Sequence, residues 1–349
     1  MWKRRLTGGI DLNSNVNSDL RKRVLSGIQP TNIPHLGNYL GALRNWAARQ
    51  DDNETFYCIV DLHAMTSPWD PRELERRILA TAAMLFASGI DPHRSVLFRQ
   101  AHVPQHSELA WILTCIARMG ELRRMIQFKE RSKGEAESVG AGVFTYPALQ
   151  AADVLLYQAH GVPVGEDQRQ HIELTRDLAI RFNTMFGETF VVPEAWIPEA
   201  GARIMALDDP TQKMSKSATR PDSSISLDDP PDAIARKIRS AVTDSGREVV
   251  AGVDKPALTN LLTILSVIEG STIPALEERF AGAGYAQFKD ALTSAVVALL
   301  APVRERFEEL TADPAETEKL LALGADRASA VAEHTMARVW DRTGLGSRR

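Results

Sequence analysis

The chain has 349 residues, enough for two or three domains at roughly 100–200 residues each. Hydrophobic residues make up 44% and charged residues 25%, the balance of an ordinary globular protein, which argues against a disordered or fibrous chain. The net charge of −4 gives no global sign of nucleic-acid binding, although a local basic stripe is sufficient for it.

Residues 1–20 are basic at Lys3–Arg5 and then rich in Asn and Ser. Without the apolar core of a secretory signal they are expected to form a disordered leader, and Asp11 and Asp19 weigh against a mitochondrial presequence. Val24–Gly27 is a short apolar run closed by glycine, a helix pattern follows from Leu36 to Arg49, and Thr55–Val60 is rich in β-branched and aromatic residues. Together they predict one βαβ unit of a parallel sheet. In the next helix Asp70 suits the cap, Pro71 the first turn and Glu73 the N-terminal dipole. Its apolar face (Leu74, Ile78, Ala82, Leu85) runs until Gly89, and Ser95–Phe98 is the following strand.

Residues 104–161 read as a helical insertion, followed by a short strand at Val162–Gly165 and a long helix from Asp167 to about Phe186. Arg203–Leu207 is expected as a further strand. The Pro-, Ser- and Asp-rich stretch Ala218–Pro231 reads as a linker, after which the pattern is helical throughout: Asp232–Ala241, Pro256–Ile268, Tyr285–Arg306 and two or three shorter helices. The expected architecture is α/β, with a doubly wound parallel-sheet (Rossmann-like) catalytic domain at 21–217 and an α-helical domain at 218–349. The last helices would pack back on the catalytic domain. Cys58 and Cys115 each lie in an apolar segment, the pattern of reduced, buried thiols in a cytoplasmic protein. No apolar run approaches the ~20 residues that span a bilayer, so no membrane role is expected.

Ligands in open parallel sheets bind beyond the carboxyl ends of the strands, which directs attention to Ser26-Gly27-Ile28-Gln29-Pro30 and the helix start His35-Leu36-Gly37-Asn38. His35 and Asn38 share a face three residues apart, both donate hydrogen bonds, and helix N-termini favour anions. Gly37 leaves room for a flat base against the backbone. A triphosphate site and a capped, close-packed helix are both open on these residues alone. Lys213-Met214-Ser215-Lys216-Ser217 places two lysines around small hydroxyl residues, which makes either a cationic phosphate clamp or a solvated loop.

The two segments together match the paired signatures of class I aminoacyl-tRNA synthetases. Thr145-Tyr146-Pro147, Ala151-Ala152-Asp153, Gly165-Glu166-Asp167-Gln168-Arg169-Gln170-His171, Gly201-Ala202-Arg203-Ile204-Met205 and Ala241-Val242-Thr243-Asp244-Ser245 extend the resemblance. From about Leu25 to the C-terminus the chain resembles tryptophanyl-tRNA synthetases of the bacterial type; the tyrosyl enzymes share fold and signatures, but the Gly-Glu-Asp-Gln form points to tryptophan.

The resemblance implies activation of L-tryptophan by ATP with Mg²⁺, then transfer to the 2′-hydroxyl of the terminal adenosine of tRNA(Trp), in a homodimer. It places His35, Asn38, Lys213 and Lys216 in catalysis. It assigns ATP to Gln29, Gly37, Asn38, Gly165, Asp167, Ile204, Lys213, Met214 and Lys216, with Asp167 open to a second role as a helix cap. Tryptophan falls to Asp153, Tyr146, Gln127, Gln168, His63 and Gln150, with Asp153 accepting the indole N–H. No residue is assigned to a resident metal. Arg236, Lys237 and Arg239 form a basic cluster for tRNA phosphates, or a solvated helix face. Two departures stand out: Gln150, where many bacterial relatives carry methionine, and Arg131, where lysine is familiar near the phosphates.

Overall fold

The computed structural model describes residues 21–31, 33–131, 139–197, 203–215 and 220–346. The predicted leader and Lys216 lie outside the described residues. So do Gly201, Ala202, the start of the predicted linker and the side chain of Arg131.

The first βαβ unit forms as the apolar runs require. β1 (Arg23–Ile28) leads into a helical segment that starts as α1 (Leu36–Asn38), widens to a π turn at Tyr39–Leu43 and ends as α2 (Arg44–Arg49). β2 (Glu54–Ile59) then returns parallel to β1, with Arg23 opposite Glu54 and Ile28 opposite Ile59. After α3 (Asp61–Ala64), α4 (Pro71–Ala87) starts as its sequence predicts: the Asp70 side chain accepts the Glu73 N–H at 2.9 Å. Gly89, at φ +101°, turns the chain out of it toward β3 (Val96–Arg99).

The expected helical insertion comprises α5 (Gln105–Ile116), α6 (Met119–Arg124), α7 (Ile126–Arg131) and α8 (Ala141–Leu156). β4 (Gly161–Pro163), α9 (Arg169–Phe186) and β5 (Glu194–Trp196) complete a five-stranded sheet in the order β3-β2-β1-β4-β5, every pair parallel. The chain winds outward from β1 to β3 and then crosses to the other side of β1. The switch point of this doubly wound sheet therefore lies between β1 and β4.

Residues alternate between two cores with the period of two that a pleated strand imposes. Along β2, Tyr57 and Ile59 enter one core while Phe56 and Cys58 enter the other. The remaining helices are α10 (Pro231–Ser240), α11 (Pro256–Glu269), α12 (Ile273–Arg279), α13 (Tyr285–Ala312) and α14 (Pro314–Thr343). The first core continues into them through Leu261 and Leu265 of α11 and Phe288, Leu292 and Val296 of α13. By length and composition α13 is long and apolar enough to cross a membrane, as core helices of globular proteins also are; one face of it, through Phe288, Leu292, Val296 and Leu300, is buried in the first core.

α14 crosses the edge strand β3, with Leu321 in one core and Ala325 and Ala328 in the other. The crossing is close enough that a Cβ at Gly324 would overlap the Leu97 carbonyl. Arg327 Nη1 donates to the carbonyls of Pro92 (2.8 Å) and Ser95 (2.9 Å) beside it. An otherwise open sheet edge is thus covered.

Three expectations need correction. Arg203–Leu207 is not a sheet strand: Met205 bridges Lys213 of its own return segment, and the Asn260 side chain holds both backbone groups of Met205. The fifth strand is Glu194–Trp196, too short for a periodicity signal. The described part of the Pro/Ser/Asp-rich stretch does not behave as a linker. Ile225 and Leu227 are buried two residues apart, and this segment pairs with the one carrying His35 through Leu36 N–H to Ile225 O (2.8 Å) and Leu227 N–H to Pro34 O (3.0 Å). Finally, Cys115 is exposed, because α5 buries Leu109 and Leu113 and turns Trp111 and Cys115 outward.

Candidate active site

A cavity of about 260 Å³ opens at the switch point, floored by Leu25 and Gly27 of β1 and by Val162 and Pro163 of β4. Gln29 follows β1 into its wall, His63 comes from α3, Gln127 from α7, and Tyr146, Gln150 and Asp153 from α8; Gln168 closes it ahead of α9. All six residues expected around the amino acid, together with Gln29, therefore face one space. Tyr146, Gln150 and Asp153 recur at spacings of four and three, which puts them on one side of α8.

Asp153 is 3% exposed and meets three donors. His63 Nε2 stands 2.8 Å from Oδ2, while Gln100 Nε2 and His106 Nδ1 each stand 2.6 Å from Oδ1. A carboxylate only accepts, so all three nitrogens donate. Burial pushes the carboxyl pKa up, but His63 and His106 more than offset this and hold it low, at about 2. Asp153 is thus an ionised acceptor in an apolar setting. Behind it His106 Nε2 meets the Tyr157 hydroxyl at 2.7 Å. Two turns earlier on α8 the Tyr146 hydroxyl is 2.6 Å from Nε2 of the buried His171. Burial lowers the His171 pKa to about 4, helped by His63, so that ring is uncharged at neutral pH.

The residues expected to handle ATP fall in two groups. In the first, His35 Nδ1 accepts the Asn38 N–H and Asn38 Oδ1 accepts the His35 N–H, both at 3.2 Å. With Nδ1 accepting, the ring proton sits on Nε2, which makes Nε2 the donating nitrogen. Gly37 lies beneath that ring: a Cβ there would be 3.1 Å from His35 Nδ1 and 3.5 Å from Ile204 Cβ. Met214 N–H donates to Ile204 O at 3.1 Å, which brings the second signature beside the first. Ile204 and Met214 are buried members of the first core, while Lys213 is exposed. The second group is Gly165 and Asp167, next to Gln168 at the cavity. Asp167 does not cap α9, whose N-cap is Gln168; it accepts from Gln168 Nε2 at 2.9 Å instead.

Of the basic cluster on α10, Arg236 and Arg239 are exposed. Lys237 is buried against Asp229 at 2.6 Å and does not belong to a phosphate-binding face; the apolar side of α10 draws it inward. Gln100, His106, Tyr157, His171 and Asn260 were not foreseen from the sequence. Their roles depend on pairings 25 to 55 residues apart, and only the polar character of His106 within apolar α5 offered a hint.

A doubly wound sheet whose switch point joins an amino-acid-sized cavity to a His–Gly–Asn helix start defines a class of nucleotide-using enzymes. The family model described as "tRNA synthetases class I (W and Y)" matches residues 18–301. A Streptomyces avermitilis protein called "Tryptophan--tRNA ligase 2" is 52% identical over 93% of this chain and 97% of its own length. A Caldanaerobacter subterraneus "Tryptophan--tRNA ligase" is 50% identical over 93% and 98%. The crystal structure of Campylobacter jejuni tryptophanyl-tRNA synthetase complexed with ADP and tryptophan superimposes with a TM-score of 0.81 at 35% identity, covering 93% of this chain and all of that one. The chain belongs to this class I family, among its tryptophan--tRNA ligases.

Proposed function

We infer that this chain activates L-tryptophan with ATP and charges tRNA(Trp). The observation that carries the reading is the ionised, buried Asp153 in the wall of the switch-point cavity. Phenylalanine and tryptophan differ in the indole N–H, and a site built to bond that proton rejects ligands lacking it.

In the first step a carboxylate oxygen of tryptophan attacks the α-phosphorus, the bond to the bridging oxygen breaks, and pyrophosphate leaves with tryptophanyl-adenylate remaining. In the second the 2′-hydroxyl attacks the acyl carbon, loses its proton, and AMP departs. Such chemistry depends on positioning and charge stabilisation more than on covalent help. His35 Nε2–H and the Asn38 amide donate to the phosphate oxygens, with Gln29 between nucleotide and amino acid. Lys213 and Lys216 neutralise the leaving pyrophosphate. Gly165 and Asp167 hold the ribose, and Ile204 and Met214 border the adenine. Mg²⁺ would accompany the nucleotide, where it would neutralise charge on the phosphate oxygens.

A homodimer is supported by exposed apolar side chains, Trp111, Met119 and Ile126 on α5–α7 and Ile180 and Met185 on α9. Arg181 of α9 is pinned to Glu121 of α6 at 2.5 Å, which brings these helices together. Arg236 and Arg239 are assigned to tRNA phosphates, and a cytoplasmic location accords with the reduced thiols.

Asp153→Asn tests the reading. The amide retains one acceptor oxygen but turns an N–H₂ toward groups that already donate. The kcat/KM for tryptophan should fall by about 1.5–3 kcal/mol, the range for a charged hydrogen bond, while the KM for ATP stays near the wild-type value. Stability should fall as well, since His63, Gln100 and His106 cannot all be satisfied. Intact tryptophan kinetics in a destabilised variant would reduce Asp153 to a structural ion.

A further inference from the structure

Asp153 is gripped from behind by groups that do not line the cavity. Gln100 and His106 are 0% exposed and both reach Oδ1. The Gln100 amide cannot be turned round, because its Oε1 accepts the Leu62 N–H at 3.2 Å and so directs Nε2 at the carboxylate. His106 is locked too: Nδ1–H donates to Asp153, which leaves Nε2 to accept the hydroxyl proton of buried Tyr157 at 2.7 Å. A carboxylate oxygen accepts about two hydrogen bonds. Oδ1 is therefore saturated, and Oδ2, with His63 as its one donor among the described residues, retains an acceptor position.

We propose that His106, backed by Tyr157, is a specificity-determining positioning residue of the amino-acid site: it fixes the Asp153 carboxylate so that Oδ2 offers its remaining acceptor position to a ligand carrying an aromatic N–H. The proposal rests on the reading of Asp153 as the indole acceptor. The carboxylate torsion is soft and two-fold by nature; without His106 the group keeps Gln100 on Oδ1 and the cavity-lining His63 on Oδ2, so Gln100 is left as the one anchor behind it and Oδ1 loses half of its support. Losing His106 blurs the aim of Oδ2 without touching the cavity wall. The penalty falls on discrimination, because a ligand with no N–H never used that aim.

The test compares tryptophan with 3-(1-benzothiophen-3-yl)alanine, in which sulfur replaces the indole N–H at nearly constant shape. ATP–pyrophosphate exchange gives the ratio of kcat/KM values for the two in the wild type and in Tyr157→Phe, His106→Leu and His106→Asn. His106→Leu should lower the ratio about tenfold and Tyr157→Phe about threefold, as expected for loss of a buried hydrogen bond and of its support. His106→Asn places an amide N–H where Nδ1 stands and should restore most of the ratio. The KM for ATP should not move in any of them. A purely structural role for His106 predicts lower stability with an unchanged ratio, and that result overturns the proposal. Should His106→Leu fail to fold, Tyr157→Phe decides: an unchanged ratio there overturns it equally. A wild-type enzyme that uses both substrates equally well sinks the Asp153 reading itself. Discrimination in the wild type that survives in His106→Leu sinks the positioning claim alone.

Discussion

The carboxylate of Asp153 sits among two imidazoles and an amide, in a setting where an unpaired charge would cost several kcal/mol. Its presence on an otherwise apolar helix made it conspicuous in the sequence, since such a residue needs either a partner or a ligand. The identity of the partners was not legible. Gln100 lies 53 residues away and His106 47, and no local pattern says which helix will lie against α8. The two lysines of the second signature present the reverse case, being plain in sequence while Lys216 lies outside the described residues. Their proposed role still yields a sharp expectation. Lys216→Ala should reduce the kcat of tryptophan activation by an amount on the order of 3 kcal/mol in barrier height, with little effect on the KM for tryptophan, because the contact strengthens as charge develops on the leaving group. Pre-steady-state measurement of adenylate formation is the check, and an unaltered rate would leave this lysine a solvated surface charge.

Helices announced themselves wherever caps and periodicity agreed, as in α4 with Asp70, Pro71 and Gly89. Elements defined by what they touch did not. The alternation Ile225, Leu227 amid Ser and Asp is a strand-like pattern hidden in turn-forming composition, and it braces the helix start that carries His35. The three residues of β5 carry no readable period at all. Helix packing supports two forecasts. Gly324 lets α14 lie directly on β3, so Gly324→Ala should destabilise the protein by about 1–3 kcal/mol through overpacking against an immovable carbonyl. A denaturant midpoint equal to the wild type would show that the helix can lift away without loss. Glu121 ties α6 to Arg181 of α9. Burial pushes its pKa up, but the Arg181 hydrogen bonds prevail and leave it below the ordinary glutamate range. A depressed folded-state value means that the stabilisation is fully present above the unfolded-state pKa and is lost as pH falls through the folded one. The stability gap between the wild type and Glu121→Gln, measured by urea unfolding, should thus be open at pH 7 and close progressively below about pH 4.3. A gap independent of pH would contradict the ion pair.

At the scale of the whole molecule, the sheet and the C-terminal helices share one core, with Tyr57 and Leu97 of the strands in the same cluster as Leu265, Phe288 and Leu292. The segment pairing at Ile225–Leu227 and the clasp of Asn260 on Met205 tie both signatures to this core. The nucleotide side of the site therefore depends on residues scattered along the full chain. The amino-acid side is lined by the strand ends, α3, α7, α8 and Gln168, with α5 supporting Asp153 from behind. The proposed assignment sets nucleotide chemistry common to the class beside a cavity for one amino acid. Its most direct test is amino-acid-dependent ATP–pyrophosphate exchange with each of the twenty amino acids in turn. Tryptophan alone should drive rapid exchange. Equal or faster exchange with tyrosine, or none with tryptophan, would contradict it.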